Sequence, residues 1–519
     1  MPCCQSVSPL SEAAGERVRQ WLLCCLCHQP GPQERQAVRR HVLTALAPRP
    51  RQDLLSHVLA SPEVVMDNKC QLVEILGDVT TRSVDLIPGG PLFVEEVFHL
   101  YRSLTMAAVI NLTRLGIVCD VRSIADRRYV PDINVTFYRL MGHMRHLVWV
   151  TLAGVADGTI LAHLGANCHA LEYLDVSGSP RVDDVGVAKL LLQGRMNLRD
   201  LHHLAHAPLP PTSPCCATLT YLGVTRTETS SASIVLLLRC LRQVTSLGGF
   251  VNDGSLLEVL KLLKNGKAAE WPTSLSEVSE ARILPHQVPL LVAACPGLTT
   301  LVTEETSVPA LSLLPSLQSL TVDLQLRGES GPLYDMVEVR GSALTHLRLE
   351  NSINCPLELT YLMDAAPHLH HLEARLYLGE GCVVTGWASL ASAKIGVTTC
   401  KGVVALLTHT PALRRLTLSL DPEPYTETWR DLNDAVLEQV VGGGGLGAVE
   451  ELVVTDCGAT VTGLQLLMLH CQHLALVASL INWPAITLAD LHLLREQIAC
   501  NNWCLDLQLR LAAPLKPLF

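Results

Sequence analysis

Aromatic and charged residues are scarce in this chain of 519 residues. Only 4% of the residues are Phe, Trp or Tyr and 17% are Asp, Glu, Lys or Arg, whereas 49% are hydrophobic. Many small aliphatic contacts must therefore fill the core in place of a few aromatic anchors, which indicates internal repetition. The length is compatible with three or four domains or with one elongated repeat domain.

Basic runs are absent as well. The formal net charge is -10, and no block of five or six Lys or Arg residues occurs. We therefore expect that this protein does not bind nucleic acid through the phosphates. The start, MPCCQSVSPLSEAAGERVRQ, has no basic segment followed by an apolar core and a cleavage site. We therefore expect a cytoplasmic or nuclear protein with reduced cysteines.

One long stretch, Cys457 to Ala489, contains no Asp, Glu, Lys or Arg and is long enough to cross a bilayer. Polar residues and a proline interrupt it, and its leucines keep a repeat spacing. A membrane-spanning helix is therefore disfavoured, and a membrane-attached receptor is the third functional alternative.

A short pattern recurs along the chain: leucine, two residues, leucine, one residue, aliphatic. The spacing from Leu147 to Leu171 is 24 residues, and that from Leu344 to Leu369 is 25. Such periods are typical of leucine-rich repeats, in which each unit supplies a short strand and a helix. The clear copies are LVWVTLA from Leu147, LEYLDVS from Leu171, LTYLGVT from Leu219, LQSLTVD from Leu317, LTHLRLE from Leu344, LRRLTLS from Leu413 and VEELVVT from Val449. Looser copies begin at Leu112, Leu298 and Leu369.

The repeat from Leu171 shows why the units must stack. After the strand, Ser177 to Pro180 form a predicted turn, and Asp183 or Asp184 can cap a helix. Its predicted buried stripe is Val185, Ala188, Leu191 and Leu192. A single unit cannot bury that stripe, whereas stacked units can.

Several motifs follow a cysteine or proline lead-in, as in CHALEYL, CPGLTTL, APHLHHL and TPALRRL. This pattern resembles the cysteine-containing, ribonuclease-inhibitor-like leucine-rich repeats of F-box proteins. The resemblance implies an α/β leucine-rich repeat solenoid, a horseshoe with parallel strands on its concave face. We predict that the solenoid spans residues 79–503, after a helical cap over 1–78 and before a capping strand and tail over 504–519.

The segment before the repeats has two interpretations. LAPRPRQDLLSHVLASPEV resembles the box helices by which F-box and VHL-box receptors dock on a cullin adaptor. The resemblance implies that docking residues lie at Pro50, Leu54, Leu55, Val58 and Leu59. The alternative is a helical cap that covers the exposed core of the first repeat. At the other end, a helix over Leu488–Cys500 and a strand over Leu505–Leu511 are the predicted terminal cap.

Motifs that could carry chemistry do not fit their contexts. The run from Cys24 to His28 contains the CxxCH spacing of haem attachment, but it lies in an apolar helical segment. The glycines from Gly442 to Gly447 lie between a predicted helix and a strand, which is the reverse of a dinucleotide site. His202 and His203 lie on a predicted strand, where neighbours face opposite ways and cannot share a metal. We therefore predict a protein that is not an enzyme and needs no metal or cofactor.

The remaining candidate is a surface. The third, fifth and seventh positions of the repeat point away from the core, and they place charged and aromatic side chains on neighbouring strands. Arg, Tyr and Trp often anchor interfaces, although strand faces toward solvent are commonly polar without a binding role. The predicted partner-binding residues are Trp149, Tyr173, Asp175, Tyr221, His346, Arg348, Glu350, His371, Glu373, Arg375 and Arg415.

These observations favour a protein-interaction module, and two versions remain open. The first is the substrate-recognition subunit of a cullin-RING ubiquitin ligase, with the box helix bound to the adaptor. The second is a cytosolic scaffold or inhibitor without any ligase. Both use the concave face for a protein partner.

Overall fold

A computed structural model describes residues 10–27, 31–61, 64–120, 135–249, 255–264, 273–303, 305–306, 311, 313–323, 331–350, 357–377, 387–397, 400–420, 432–455, 457–501 and 503–509. These residues divide into two compact units. The amino-terminal unit holds the described residues of 8–279 and 293–297, and the carboxy-terminal unit those of 280–292 and 298–509.

The amino-terminal unit begins with helices and continues as strand–helix repeats. Its helices are α1 (Leu10–Cys27), α2 (Pro32–Ala45), α3 (Pro48–Ala60), α4 (Met66–Leu76), α5 (Val94–Ala107), α6 (Val135–Met141), α7 (Gly158–Asn167), α8 (Asp184–Leu191), α9 (Leu201–His206), α10 (Ser231–Cys240) and α11 (Leu256–Lys264). Its strands are β1 (Ser83–Asp85), β2 (Arg114–Val118), β3 (Trp149–Ala153), β4 (Tyr173–Asp175), β5 (Tyr221–Gly223) and β6 (Glu277–Ser279).

The first five strands form one parallel sheet in chain order, β1-β2-β3-β4-β5. The second aliphatic residue of the repeat motif occupies the same rung on each strand, which aligns Leu115, Val150, Leu174 and Leu222. All four side chains are fully buried. Each contributes roughly 1.5–3 kcal/mol of hydrophobic stabilisation, so burial of the motif holds the strands in this register.

The carboxy-terminal unit has the same organisation. Its helices are α12 (Val288–Ala294), α13 (Gly331–Arg340), α14 (Leu359–Ala365), α15 (Cys400–Thr408), α16 (Asp434–Gly442), α17 (Val461–His470) and α18 (Leu488–Cys500). Its strands are β7 (Arg282–Ile283), β8 (Thr300–Thr303), β9 (Glu305–Thr306), β10 (Ser319–Asp323), β11 (His346–Glu350), β12 (Leu357–Glu358), β13 (His371–Tyr377), β14 (Ser392–Val397), β15 (Arg415–Leu420), β16 (Glu451–Val454), β17 (Leu476–Ala478) and β18 (Asp506–Leu507). The parallel path runs β8-β10-β11-β13-β14-β15-β16-β17-β18.

Parallel strands that alternate with helices confirm the predicted α/β leucine-rich repeat fold. The predicted terminal helix at Leu488–Cys500 also matches α18. The glycine run after α16 is a turn between a helix and a strand, as the sequence indicates. Gly444 has φ +81° there, a left-handed conformation that glycine adopts without strain.

Two details of the helices differ from the sequence prediction. The helix α8 begins after Asp183, whose side chain accepts a hydrogen bond from the Gly186 amide at 2.7 Å. This cap sets the helical phase so that Val187 and Leu190 are buried, whereas Val185 is 50% exposed and was wrongly assigned to the stripe. His202 and His203 were predicted on a strand but lie in α9.

The cysteines that precede several motifs are buried and do not form disulfide bonds. The Cys168 thiol donates a hydrogen bond to the Met144 carbonyl oxygen at 3.1 Å, in the preceding repeat. Burial raises the pKa of Cys168 to about 12, which keeps it in the thiol form that can donate this bond. The lead-in cysteine therefore joins consecutive repeats.

Candidate interaction faces

In the amino-terminal unit, three aromatic rings stand in one row on the face of the sheet turned away from the buried leucines. Strand register places Trp149 beside Tyr173 and Tyr173 beside Tyr221. The Trp149 and Tyr173 rings stack with centroids 4.9 Å apart, and those of Tyr173 and Tyr221 are 4.2 Å apart. We call Arg114, Trp149, Tyr173 and Tyr221 the aromatic ladder.

Arg114 stacks on Trp149 at one end of the aromatic ladder. The guanidinium carbon of Arg114 lies 3.7 Å from the Trp149 ring centroid, and its Nε forms an ion pair with Asp85 Oδ2 at 2.8 Å. Sequence reasoning missed Arg114 as a site residue. The signal was present, because the looser motif from Leu112 places Arg114 at the same position as Trp149 in the next repeat.

A second row runs beside the ladder and contains Asp175. This carboxylate accepts a hydrogen bond from the Ser177 amide at 2.9 Å, and burial raises its pKa above the ordinary value. Thr151 lies beside it on β3, and its Oγ1 is buried without a hydrogen-bond partner among the described residues. The ladder therefore borders a polar row in which, among the described residues, the Thr151 hydroxyl has no hydrogen-bond partner.

Tyrosine hydroxyls in the ladder remain protonated well above neutral pH. Burial raises the pKa of Tyr173 to about 12, and that of Tyr221 is raised further by burial and by nearby Asp175. The two hydroxyls also hydrogen bond each other, with Tyr221 donating to Tyr173, so the Tyr173 hydroxyl keeps its proton for a partner. Each ring is half-buried, so part of its surface stays accessible.

In the carboxy-terminal unit, the predicted face is a network of charges. Register places His346 beside His371 and Arg348 beside Glu373. Arg348 forms ion pairs with Glu350 at 2.7 Å and with Glu373 at 3.0 Å. The structure thus brings five predicted residues of β11 and β13 together.

The strand β14 was missed by sequence reasoning, and it separates β13 from β15. Arg415 therefore lies beside Ser392 and not beside His371. Lys394 of β14 forms a further ion pair with Glu373. Arg375 is half-buried on β13, next to Gly396 of β14. The charged face is consequently one strand wider than the motif count predicts.

The four aliphatic residues of the predicted docking helix lie in the core. Leu54 is 7% exposed, and Leu55, Val58 and Leu59 are at most 1% exposed. They lie in α3, which packs against α4 and β1, and only Pro50 of the five is exposed. In this structure these four side chains are therefore buried and do not lie on the outer surface of α3.

Within the described part of the chain, no group of three or more His, Cys, Asp or Glu side chains could hold a metal ion. The rings of His202 and His206 are 4.5 Å apart, one helical turn from each other in α9. No described helix has the length and apolarity needed to cross a bilayer. The uncharged stretch from Cys457 forms α17, β17 and a short 3-10 helix, not one long helix.

Comparisons with known proteins add fold neighbours only. No protein-family model and no curated protein matches the chain. Among solved structures, a complex of TLR13 with ssRNA13 aligns at 12% identity over 72% of this chain and 53% of that chain, with a TM-score of 0.35. This chain thus spans about half the length of that protein.

Two further solved structures are similar over large parts of this chain. A complex of Rad7 and Elc1 in yeast aligns at 11% identity over 88% of this chain and 95% of that chain, with a TM-score of 0.30. Internalin C2 from Listeria monocytogenes aligns at 14% identity over 49% and 74%, with a TM-score of 0.18. At these scores, none of the three likenesses assigns a partner to this chain.

Proposed function

We propose that this chain is a non-enzymatic interaction module whose strand faces bind a protein partner. The observation that carries the proposal is the aromatic ladder, in which register and stacking hold Trp149, Tyr173 and Tyr221 in one row. Tyr, Trp and Arg dominate the binding energy of many interfaces. Rings already ordered by stacking lose little conformational entropy when a partner binds, which favours affinity.

The charged face of the carboxy-terminal unit supports the same function by another route. Arg348 contacts two carboxylates, and Glu373 contacts two cations. Such a network holds its side chains in place, and complementary charges on a partner select binding orientation and raise the association rate.

A finer version of the proposal is a substrate receptor of a cullin-RING ligase. The burial of Leu54, Leu55, Val58 and Leu59 favours the other version, a scaffold or inhibitor, because those side chains support the first repeat. Recovery of adaptor and cullin subunits with the full-length chain would support the receptor version, with docking through exposed residues.

The test is affinity purification of the full-length chain, with partners quantified by mass spectrometry. The double variant Tyr173→Ala, Tyr221→Ala removes the ladder, and Phe98→Ala removes a ring that is 44% exposed on α5. We expect the double variant to recover at least tenfold less of one or more specific partners than the wild-type chain. The control should recover the same amount as the wild-type chain. Circular dichroism and thermal unfolding verify that both variants fold. Retention of every partner by a folded double variant would overturn the proposal.

A further inference from the structure

The aromatic ladder has an open end opposite Arg114. Tyr173 covers one face of the Tyr221 ring, and on the other side the neighbouring residue in parallel register is Ser246. A serine side chain is too short to cover a phenol ring. One face of Tyr221 is therefore left without a stacking partner from the next rung.

Glu277 stands on the rung after Ser246. The amides of Ser276 and Glu277 both donate to the Thr245 carbonyl oxygen at 3.0 Å. The amides of Thr220 and Tyr221 bond the Glu172 carbonyl oxygen in the same way, and that pattern sets Tyr221 beside Tyr173. Glu277 consequently lies beside Ser246. At a spacing of about 4.8 Å per strand, roughly 9–10 Å separates the backbones of Tyr221 and Glu277 along the sheet. The Glu277 side chain hydrogen bonds Ser246, which is only 4% exposed, so the gap is closed at its base.

The floor next to this gap has no side chains. Gly223 and Gly248 lie against each other, since a Cβ at Gly248 would come within 2.7 Å of the Gly223 Cα and 3.2 Å of the Tyr221 hydroxyl. The carboxylate of Asp175 borders the floor, because a Cβ at Gly223 would lie 2.6 Å from Asp175 Oδ1. Gly248 has φ +82°, so larger residues are excluded there by backbone strain as well.

Two carboxylates border the gap, and neither has a cationic partner among the described residues. Ser177 hydrogen bonds Asp175, and Ser246 hydrogen bonds Glu277. Burial raises the pKa of both acids, because the ionised form is less well solvated there than in water. A cation in the gap would interact favourably with both.

We propose that this gap binds an arginine side chain of a protein partner, with its guanidinium stacked on the open face of Tyr221 and paired with Glu277. Asp175 supplies further negative charge from the side of the glycine floor. Arginine fits better than lysine because a planar guanidinium stacks on a ring and forms two parallel bonds to a carboxylate. The inference rests on the proposed function and specifies the partner's chemistry.

The test is selection of a random peptide phage library on the immobilised full-length chain. Binding of the peptides enriched on the wild-type chain is then measured on the variants Glu277→Gln and Tyr221→Leu. The control is Glu172→Gln, which replaces an exposed carboxylate next to β4. We expect one position rich in arginine, at least tenfold weaker binding to both gap variants and unchanged binding to the control. Citrulline, which is isosteric and neutral, should weaken a selected synthetic peptide to the same extent.

Peptides without an enriched arginine, equal binding to Glu277→Gln or equal binding of the citrulline peptide would each overturn the inference. The proposed function is tested separately by the ladder variants in the purification experiment. If Tyr173→Ala, Tyr221→Ala loses a partner that Glu277→Gln retains, the interaction function stands and the arginine gap is rejected.

Discussion

Tyr173 and Tyr221 stack face to face, with their ring centroids 4.2 Å apart and their planes 5° from parallel. The rings belong to repeats separated by 48 residues of sequence, and the parallel register of β4 and β5 brings them together. Stacking across strands therefore links the repeats on the face that we propose for binding.

The contribution of this stacking can be measured by a double-mutant cycle. We expect Tyr173→Leu and Tyr221→Leu to show a coupling of about 0.5–1.5 kcal/mol in the free energy of unfolding, as for other aromatic pairs. Denaturant unfolding of the two single variants and the double variant provides the measurement. A cycle between Tyr173→Leu and Phe98→Leu should give a coupling near zero; equal coupling in the two cycles would contradict a specific stack.

The double variant Leu54→Ala, Leu55→Ala should unfold more easily than the wild-type chain. Each buried leucine replaced by alanine costs roughly 2–5 kcal/mol, because apolar contacts are lost and a cavity remains. The unfolding midpoint in urea or on heating should therefore fall clearly. Asp53→Ala, at an exposed position of the same helix, is the control and should leave the midpoint nearly unchanged. A stable double variant would mean that α3 is not part of the core.

Gly165→Ala should destabilise the packing of α7 against α8. A Cβ at Gly165 would clash with the Leu190 carbonyl oxygen and lie 2.9 Å from the Leu190 Cα, so backbone must move. We expect a loss of about 1–3 kcal/mol, measured as a lower unfolding midpoint. Gly15→Ala in α1 is the matched control, since no described atom lies within 4 Å of its added Cβ. This substitution should be neutral or stabilising by up to about 1 kcal/mol.

Acid should destabilise the face around His346 and His371, whose ring centroids are 6.0 Å apart. Burial lowers the pKa of His371, and so do His346, Arg415 and Arg348, while Glu373 acts in the opposite direction. Burial also lowers the pKa of His346. As the pH falls past the ordinary histidine pKa, these two histidines therefore become protonated in the unfolded chain before they do in the folded chain. Stability is present above that pKa and falls as the pH drops toward the lowered values.

The measurement is the unfolding midpoint at pH 7.5 and pH 5.5. His371→Gln should show a smaller decrease than the wild-type chain, because one destabilising protonation is removed. His492→Gln, a substitution at an exposed histidine, should behave like the wild-type chain. An identical decrease in the His371→Gln variant would reject the role of His371.

Regular motifs allowed much of the candidate site to be predicted. LVWVTLA, LEYLDVS and LTYLGVT each place an aromatic residue third, so the row of Trp149, Tyr173 and Tyr221 follows once the strands align. Degenerate copies concealed the rest. In β14 the second leucine is replaced by Ala393, and the strand was missed together with Lys394. Glu277 lies between Leu275 and Val278 in a degenerate copy of the repeat motif. That copy contains too few leucines to be recognised from the sequence.

The helical segment before the repeats shows the opposite limitation. Leucine spacing in α3 is compatible with a docking surface and with a cap, because both need one apolar face. The structure adds the packing of α3 against α4 and β1, which buries Leu54, Leu55, Val58 and Leu59.

The sequence by itself determined the repeat, the strand and helix in each unit, and the alternation that separates buried leucines from outward side chains, because these depend on local periodicity. The tertiary structure decided which outward side chains meet. Stacking of Arg114 on Trp149, the gap between Tyr221 and Glu277 and the ion pairs of Arg348 all depend on register between strands that are far apart in the chain. That register is set by the packing of whole repeats, and no single motif encodes it.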